Sequence, residues 1–329
     1  MKISKIDYKS KNIDKDNREQ FAIDVLTGLS AETKNLQAKY FYDDVGSKIF
    51  QQITQHDDYY PTRSEFEILN QVKNELAELI GEQEIDIIEL GAGDGHKSQL
   101  IINGFVNSNC KVNYYPIDIS EEAMVMLKDN ICDHPLVECH GIVAEYFEGL
   151  QLVREKSKNK QLVLFLGSNI GNFDRVQNQG FLRRLWMNMN NSDHLLVGFD
   201  LKKDIDVLTR AYNDSSGLTK DFNLNLLTRI NHELGGNFDI ENFQHFGVYN
   251  PSLGAMESYV IATKEHSVYI SSLKREFHFK AFEPIHLEHS FKFLSSDIDY
   301  ISHNTGFSVI KHFTDKESYF IDSLWKVTK

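Results

Sequence analysis

The stretch IDIIELGAGDGHKSQLII, Ile85–Ile102, decides the fold. IDIIEL is an apolar run of strand length that ends in an acid; Gly91, Gly93 and Gly95 then alternate up to a helix start near His96. Strand, glycine turn and helix in that order mark the first crossover of a ligand-binding α/β sheet. Two phosphate loops are nearly present. Counted from Gly91, the pattern G-x-x-x-x-G-K-[ST] ends correctly at Lys97 and Ser98 but has His96 in place of its second glycine, and the dinucleotide pattern G-x-G-x-x-G fails at the same residue. A side chain at position 96 opposes close approach of a pyrophosphate to the helix terminus. The alternating glycines behind Glu89 instead suit a tight turn against an adenosine and amino-acid moiety.

Outward from this turn, short apolar runs alternate with helix-length amphipathic segments. The strands are expected at IDIIEL (85–90), KVNYYPID (111–118), LVECHGI (136–142), QLVLFLG (161–167) and HLLVGFD (194–200), with SEEAMVMLKDN and RVQNQGFLRRLWMNM among the helices between them. Runs that are apolar on both sides suit a buried parallel sheet, so the fold class is a doubly wound, Rossmann-like α/β domain. Such sheets bind ligands beyond the carboxyl ends of their strands, which here read ELGAGDG, PIDIS, AEYF, GSNIGN and FDLKKD. After Asp200 the texture changes. AYNDSSGLTKDFNLNLLTRINHELGG looks helical, while FQHFGVYN, SYVIATK and HSVYISS look like antiparallel strands of a second, α+β substructure. The chain closes with helix-like FLSSDIDYISHNTG, then FSVIKHF and SYFIDSLWKV as a hairpin on the first sheet. The first 65 residues read as mostly helical and polar, apart from the dense stretch KYFYDDVGSKIFQQITQHDDYYPTRSE.

With 329 residues and 41% hydrophobic content the chain can bury one large or two modest cores. A formal charge of −13 speaks against nucleic-acid or anionic-membrane partners, which demand dense Lys and Arg. Cys110, Cys132 and Cys139 have no metal-ligand spacing and read as buried small hydrophobes in a reducing compartment. No apolar signal core or membrane-length run occurs, so a cytoplasmic protein with a small-molecule ligand is expected.

Asp118 ends the second strand of the series, where a carboxylate can accept both hydroxyls of a ribose. Together with the glycine loop it resembles the S-adenosylmethionine site of class I methyltransferases, and an acidic protein suits a cofactor that carries a sulfonium cation and no phosphate. The runs YFYDDVGSKIFQQIT, YYPTRSE, IIELGAGDGHKS, FLGSNIGNF, AYNDSSGLTKDFNLNLL and EHSFKF, spread over most of the chain, resemble the histidine-specific N-alpha-methyltransferases of ergothioneine biosynthesis. That resemblance implies a methyltransferase domain over 66–200 plus 293–329 and a substrate-binding domain over 10–65 plus 201–292, in a monomer. It implies a cofactor shell of Gly91, Gly93, Lys97, Asp118, Glu145 and Tyr146, although the family usually has Asp-Phe at the last pair. It places Tyr59, Asn172 and Tyr212 around the substrate's amino and carboxylate groups, with Tyr59 as the catalytic candidate and Gly167 beside them. Glu288 and Ser290 would hold the imidazole, and Tyr42 and Phe50 would help wall it.

The residue types make chemical sense. Methyl transfer from a sulfonium is an in-line displacement, so alignment of a neutral nitrogen lone pair matters more than a strong base. An α-amino group titrates near about 8, so a phenol such as Tyr59 need only orient it. Glu288 and Ser290, two apart, face one side of a strand and can meet the two ring nitrogens of one imidazole. His286 and His289 flank Glu288 in HLEH, but with no third ligand near in sequence no metal is expected. Three departures fall on the substrate side: Asn169 for a usual threonine, Ser258 for a pocket methionine, and Phe282 for a glycine. Two alternatives stay open, the same reaction on another amino acid or a histidine derivative, and a noncatalytic module that binds the cofactor or S-adenosylhomocysteine. A dinucleotide oxidoreductase is disfavoured by His96.

Overall fold

The structure, a computed structural model, describes residues 2–5, 13–119, 124, 127, 131 and 134–329. Cys132 and most of SEEAMVMLKDN lie outside the described residues. The strands are β1 (Lys2–Lys5), β2 (Glu84–Leu90), β3 (Lys111–Asp118), β4 (Val137–Val143), β5 (Lys160–Phe165), β6 (His194–Asp200), β7 (Phe243–Asn250), β8 (Ala255–Ala262), β9 (His266–Ile270), β10 (Arg275–Phe279), β11 (Pro284–Phe291), β12 (Phe307–Thr314) and β13 (Phe320–Val327). The chain divides into two compact units. One takes in β1, Pro61–Lys202 and Lys292–Lys329; the other ends its first segment at Tyr60 and resumes over Lys203–Phe291.

The first unit is built on an eight-stranded sheet of order β1-β4-β3-β2-β5-β6-β13-β12. From β1 to β6 every pairing is parallel, and β13 and β12 run antiparallel at the far edge. The expected strands all form, and the C-terminal hairpin joins this sheet with β13 innermost. Helices cover both faces, so β6 is buried at every residue and β2 at all but its first. That is why these strands read as unbroken apolar runs. Ile85, Ile87, Phe105, Leu162, Leu164 and Leu324 share one core cluster. One helix start is written in the sequence: Asp174 and Gln177 form a capping box at Arg175–Asn188. Chain order reverses at β2, which lies between β3 and β5, so its carboxyl end is the switch point where such sheets bind ligands. One edge differs from expectation. The amino-terminal segment, read as helical, contributes β1, which pairs parallel to β4 over four residues.

The second unit holds a three-stranded antiparallel sheet, β11-β8-β7, and a two-stranded ribbon, β10-β9. The long helical expectation after Asp200 is split into Ile205–Tyr212 and Leu218–Leu234. Asp214 breaks it, because its carboxylate accepts from the backbone N–H of Leu218 and Thr219 and so starts the second helix. Phe21, Phe41, Leu226, Ile230, Phe279 and Leu287 belong to the core of this unit.

Candidate active site

Gly91, Gly93 and Gly95 all adopt left-handed φ, of 76°, 54° and 76°, a conformation that other residues adopt only under strain. Their surroundings separate them. A Cβ on Gly95 would press against Leu127 and Ile131, and one on Gly91 would stand 3.0 Å from the Tyr146 hydroxyl. A Cβ on Gly93 would meet nothing within 4 Å among the described residues. Gly91 and Gly95 are therefore needed for packing, whereas Gly93 bares backbone toward open space. Asp94 accepts from the His96 N–H at 3.1 Å, so a carboxylate already occupies the first turn of the helix His96–Asn107. A phosphate there would face like charge; a sulfonium-bearing ligand would not. The residues of this loop fit S-adenosylmethionine. His96 itself is exposed.

Glu89, one residue before the end of β2, lies beneath the loop. It is 3% exposed and accepts from the hydroxyls of Ser98 and Tyr114. Burial pushes its carboxyl up to about 7, against the lowering effect of those two bonds. Asp118 closes β3, and its carbonyl accepts from Ala144 N–H at 3.0 Å, tying it to the start of the helix Tyr146–Lys156. Glu145 stands exposed at the position preceding that helix, and Tyr146 sends its hydroxyl to Gly91. Burial raises the Tyr146 hydroxyl, and the charges of Asp118 and Glu145 raise it further. Gly91, Asp118 and Tyr146 are thus gathered at the carboxyl ends of neighbouring strands.

Lys97, a cofactor contact by resemblance, lies in the first turn of the helix that the glycine loop opens. Its ammonium pairs with Glu65, which is fully buried, and the other Glu65 oxygen accepts from Gly167 N–H at 2.7 Å. Gly198 in β6 makes room for that carboxylate, since a Cβ there would stand 2.4 Å from it. Asp322 is also fully buried, and neither of its oxygens meets a donor among the described residues. Burial, reinforced by the neighbouring Glu65, holds the Asp322 carboxyl well above the usual range. Lys97, Glu65 and Asp322 form a strut that fixes the loop after β5. On that loop Gly167 has φ of 76° and Ser168 of 56°. The Ser168 hydroxyl accepts from Asp200 N–H at 2.9 Å, and Asn169 donates to the Leu166 carbonyl at 2.9 Å. Asn172 ends the short turn Asn169–Asn172 and is exposed. Glu65 and Asp322 escaped the sequence reading; the only signal for Glu65 was its place in YYPTRSE.

In the second unit Tyr42, Phe50 and Tyr59 form a chain of edge-on rings, with centroids 5.4 Å apart for the first pair and 6.2 Å for the second. Phe222, missed in the sequence, packs between Tyr42 and Phe50 at 5.6 and 5.7 Å. Tyr60 is separate: it is buried, and its hydroxyl accepts from Lys203 at 2.7 Å. On β11 the pairing with β8 slips after His286, leaving Leu287 as the extra residue of a bulge. Glu288 then pairs with Ser258 and Ser290 with Met256, so both stand on one face. The Tyr212 hydroxyl donates to Ser290 Oγ at 2.7 Å. The slip also turns His286 and His289 to the opposite face, with ring centroids 4.1 Å apart and Glu257 beside them. No third ligand lies near the two histidines in sequence; Glu257 joins them from the neighbouring strand β8.

Phe282, the departure from glycine, sits in the turn before β11 with φ of 62° and is 77% exposed. That left-handed φ is the reason a glycine fits there. Cys110 and Cys139 are free thiols, and burial raises both. No described helix is long and apolar enough to cross a membrane.

Residues 21–327 match the family described as histidine-specific methyltransferase, SAM-dependent. The histidine N-alpha-methyltransferase of Mycolicibacterium smegmatis is 34% identical over 277 residues, covering 84% of this chain and 85% of that protein. Its counterpart from Mycobacterium tuberculosis is 33% identical and covers 90% of this chain and 92% of that protein. Ergothioneine biosynthesis protein 1 of Schizosaccharomyces pombe is 29% identical over 89% of this chain but only 39% of its own length. With a switch-point glycine loop that suits a phosphate-free cofactor, and a match that runs through both units, the chain belongs to the SAM-dependent histidine-specific methyltransferase family.

Proposed function

We propose that this protein methylates the α-amino nitrogen of L-histidine, in successive transfers up to the trimethyl betaine, as a cytoplasmic monomer. S-adenosylmethionine supplies an electrophilic methyl group and leaves as S-adenosylhomocysteine. In the first unit, Gly91 and Gly93 admit the cofactor, Asp118 accepts from its ribose hydroxyls, and Glu145 and Tyr146 border it. Lys97 contacts the cofactor as well, and through Glu65 it holds the loop that carries Gly167 and Asn172, which we assign to the substrate. In the second unit, Glu288 and Ser290 take the imidazole, Tyr42 and Phe50 flank it, and Tyr212 and Tyr59 orient the carboxylate and the amino group.

The observation that carries this reading is the bulged strand β11. It sets Glu288 and Ser290 on one face, with Ser290 already fixed by Tyr212 at 2.7 Å. A half-buried carboxylate favours a ring with an N–H donor, because an analogue lacking that donor forgoes a charge-assisted hydrogen bond. The test is turnover with the cofactor and each amino acid, read by product mass, which also counts the transfers. Histidine should be methylated at nitrogen, and Glu288→Ala should lower kcat/KM for it by about 10- to 100-fold, the worth of one charge-assisted hydrogen bond. Another amino acid as sole substrate, with Glu288→Ala immaterial, would favour the reading in which only the substrate differs. Ser258, which pairs with Glu288 where the family carries methionine, is the observation behind that second reading.

A further inference from the structure

The two histidines of HLEH lie on the face of β11 that methyl transfer does not use. The bulge at Leu287 brings His286 and His289 together although they are three residues apart, and β8 supplies Glu257 and Tyr259 on the same side. One ligand atom from each of Glu257, His286 and His289 lies within 4.8 Å of the others. His289 Nε2 and Glu257 Oε1 stand 3.0 Å apart, close to the roughly 3.3 Å between two ligands on a tetrahedral zinc ion.

Each member is also oriented from behind. His286 Nε2 is buried and meets no partner among the described residues, which leaves a polar atom desolvated without compensation. The backbone of Glu288 lies within reach of the same ring, so its far nitrogen can be held while Nε2 stays open to a ligand. Metal-ligating histidines are held in this way, by a carbonyl on the far nitrogen. Glu257 is held too: Asn250 donates to its Oε2 at 3.1 Å, and Tyr259 hydrogen-bonds the same carboxylate. His289 stacks on Phe291 with centroids 5.6 Å apart.

We propose that Glu257, His286 and His289 bind a divalent transition metal of the zinc type, with two imidazole nitrogens and one carboxylate oxygen as protein ligands and solvent completing the shell. This N₂O set suits zinc, cobalt or nickel; calcium and magnesium want six or more oxygens. Closing the site requires His286 Nε2 to approach its two neighbours by a side-chain rotation. Once occupied, the site joins β8 and β11 across the bulge and so clamps the backbone that carries Glu288.

The inference is independent of the substrate. Tag-free full-length protein, stripped with a chelator, is titrated with Co²⁺ and then Zn²⁺. One equivalent of Co²⁺ should give the visible bands of a four- or five-coordinate site, zinc should displace it, and the Tm should rise. The double variant His286→Ala, His289→Ala should weaken zinc binding by at least about tenfold, and Glu257→Gln, which retains an acceptor for Asn250, should do the same. Absence of stoichiometric uptake, or uptake unchanged in Glu257→Gln, overturns the site. If the double variant fails to fold, Glu257→Gln alone decides.

Discussion

Gly167, on the loop after β5, and Ser290, on β11, are both proposed substrate residues, yet they are held by different physics. The Gly167 N–H rests on Glu65, a fully buried carboxylate balanced by Lys97 and pressed against Asp322. Ser290 rests on one neutral hydroxyl bond from Tyr212. The first arrangement collapses if a single charge is removed, because the remaining partners cannot be solvated. The second loses only what one hydrogen bond is worth. The first unit is therefore expected to be sensitive to single substitutions at the buried strut, and the second unit to tolerate retuning near Ser290.

Glu65→Ala is the strongest break. It strands Lys97 and leaves Gly167 N–H without its acceptor, so the first unit should lose about 3–5 kcal/mol in denaturant titration. Asp322→Asn should be nearly neutral by the same measure, since burial beside Glu65 already disfavours a charge on Asp322 and an amide can donate to Glu65. A large loss in Asp322→Asn would show that its charge, and not a shared proton, holds the strut. Lys97→Met separates two roles. A strut predicts loss of stability together with cofactor affinity, whereas direct contact predicts loss of affinity alone.

Glu89 gives the comparison a pH dependence. Burial raises its folded carboxyl from an ordinary 4.5 to about 7, so between those values the folded protein holds a proton that the unfolded chain has released. Stability from this group falls as pH climbs through that window, by up to about 3 kcal/mol at some 1.4 kcal/mol per unit, and the loss is complete above about 7. Glu89→Gln should flatten the profile between pH 4.5 and 7 and leave the variant the more stable of the two at pH 8. An unchanged slope would place the titrating group elsewhere.

The same contrast governs what the sequence disclosed. β2, β3, β5 and β6 were legible because strands buried on both faces are largely apolar, and the glycine loop because three left-handed residues admit little else. β1 was not, since an edge strand four residues long carries no periodic signal. The strut was hidden for another reason: Glu65, Lys97 and Asp322 come from distant parts of the chain, and a buried carboxylate looks like a surface one until its neighbours are known. The bulge at Leu287 was hidden too. Counting by twos placed Glu288 with Ser290 correctly, but it also put His286 on their face, and only the slip in pairing moves His286 to join His289 and Glu257.

On the substrate side the effects are smaller. Tyr212→Phe removes the hydroxyl bond to Ser290 and should lower stability by about 1 kcal/mol, with a rise in KM for the substrate larger than any fall in kcat. An equal fall in kcat would mean that the hydroxyl acts in the transition state and not in positioning the ground state.

Phe282→Gly is the mildest case, and it is expected to stabilise. The native φ of 62° costs a residue with a Cβ about 1–2 kcal/mol, which glycine avoids, while the added freedom of glycine in the unfolded chain returns roughly 0.5–1 kcal/mol of that gain. Because the ring is 77% exposed, little packing is lost in exchange. The net gain should be about 0.5–1 kcal/mol, seen as a small rise in Tm. Phe282→Ala keeps the strained φ and loses the ring, so it should show no gain. If alanine stabilises as much as glycine, the exposed ring and not the backbone is the source of the strain in this turn.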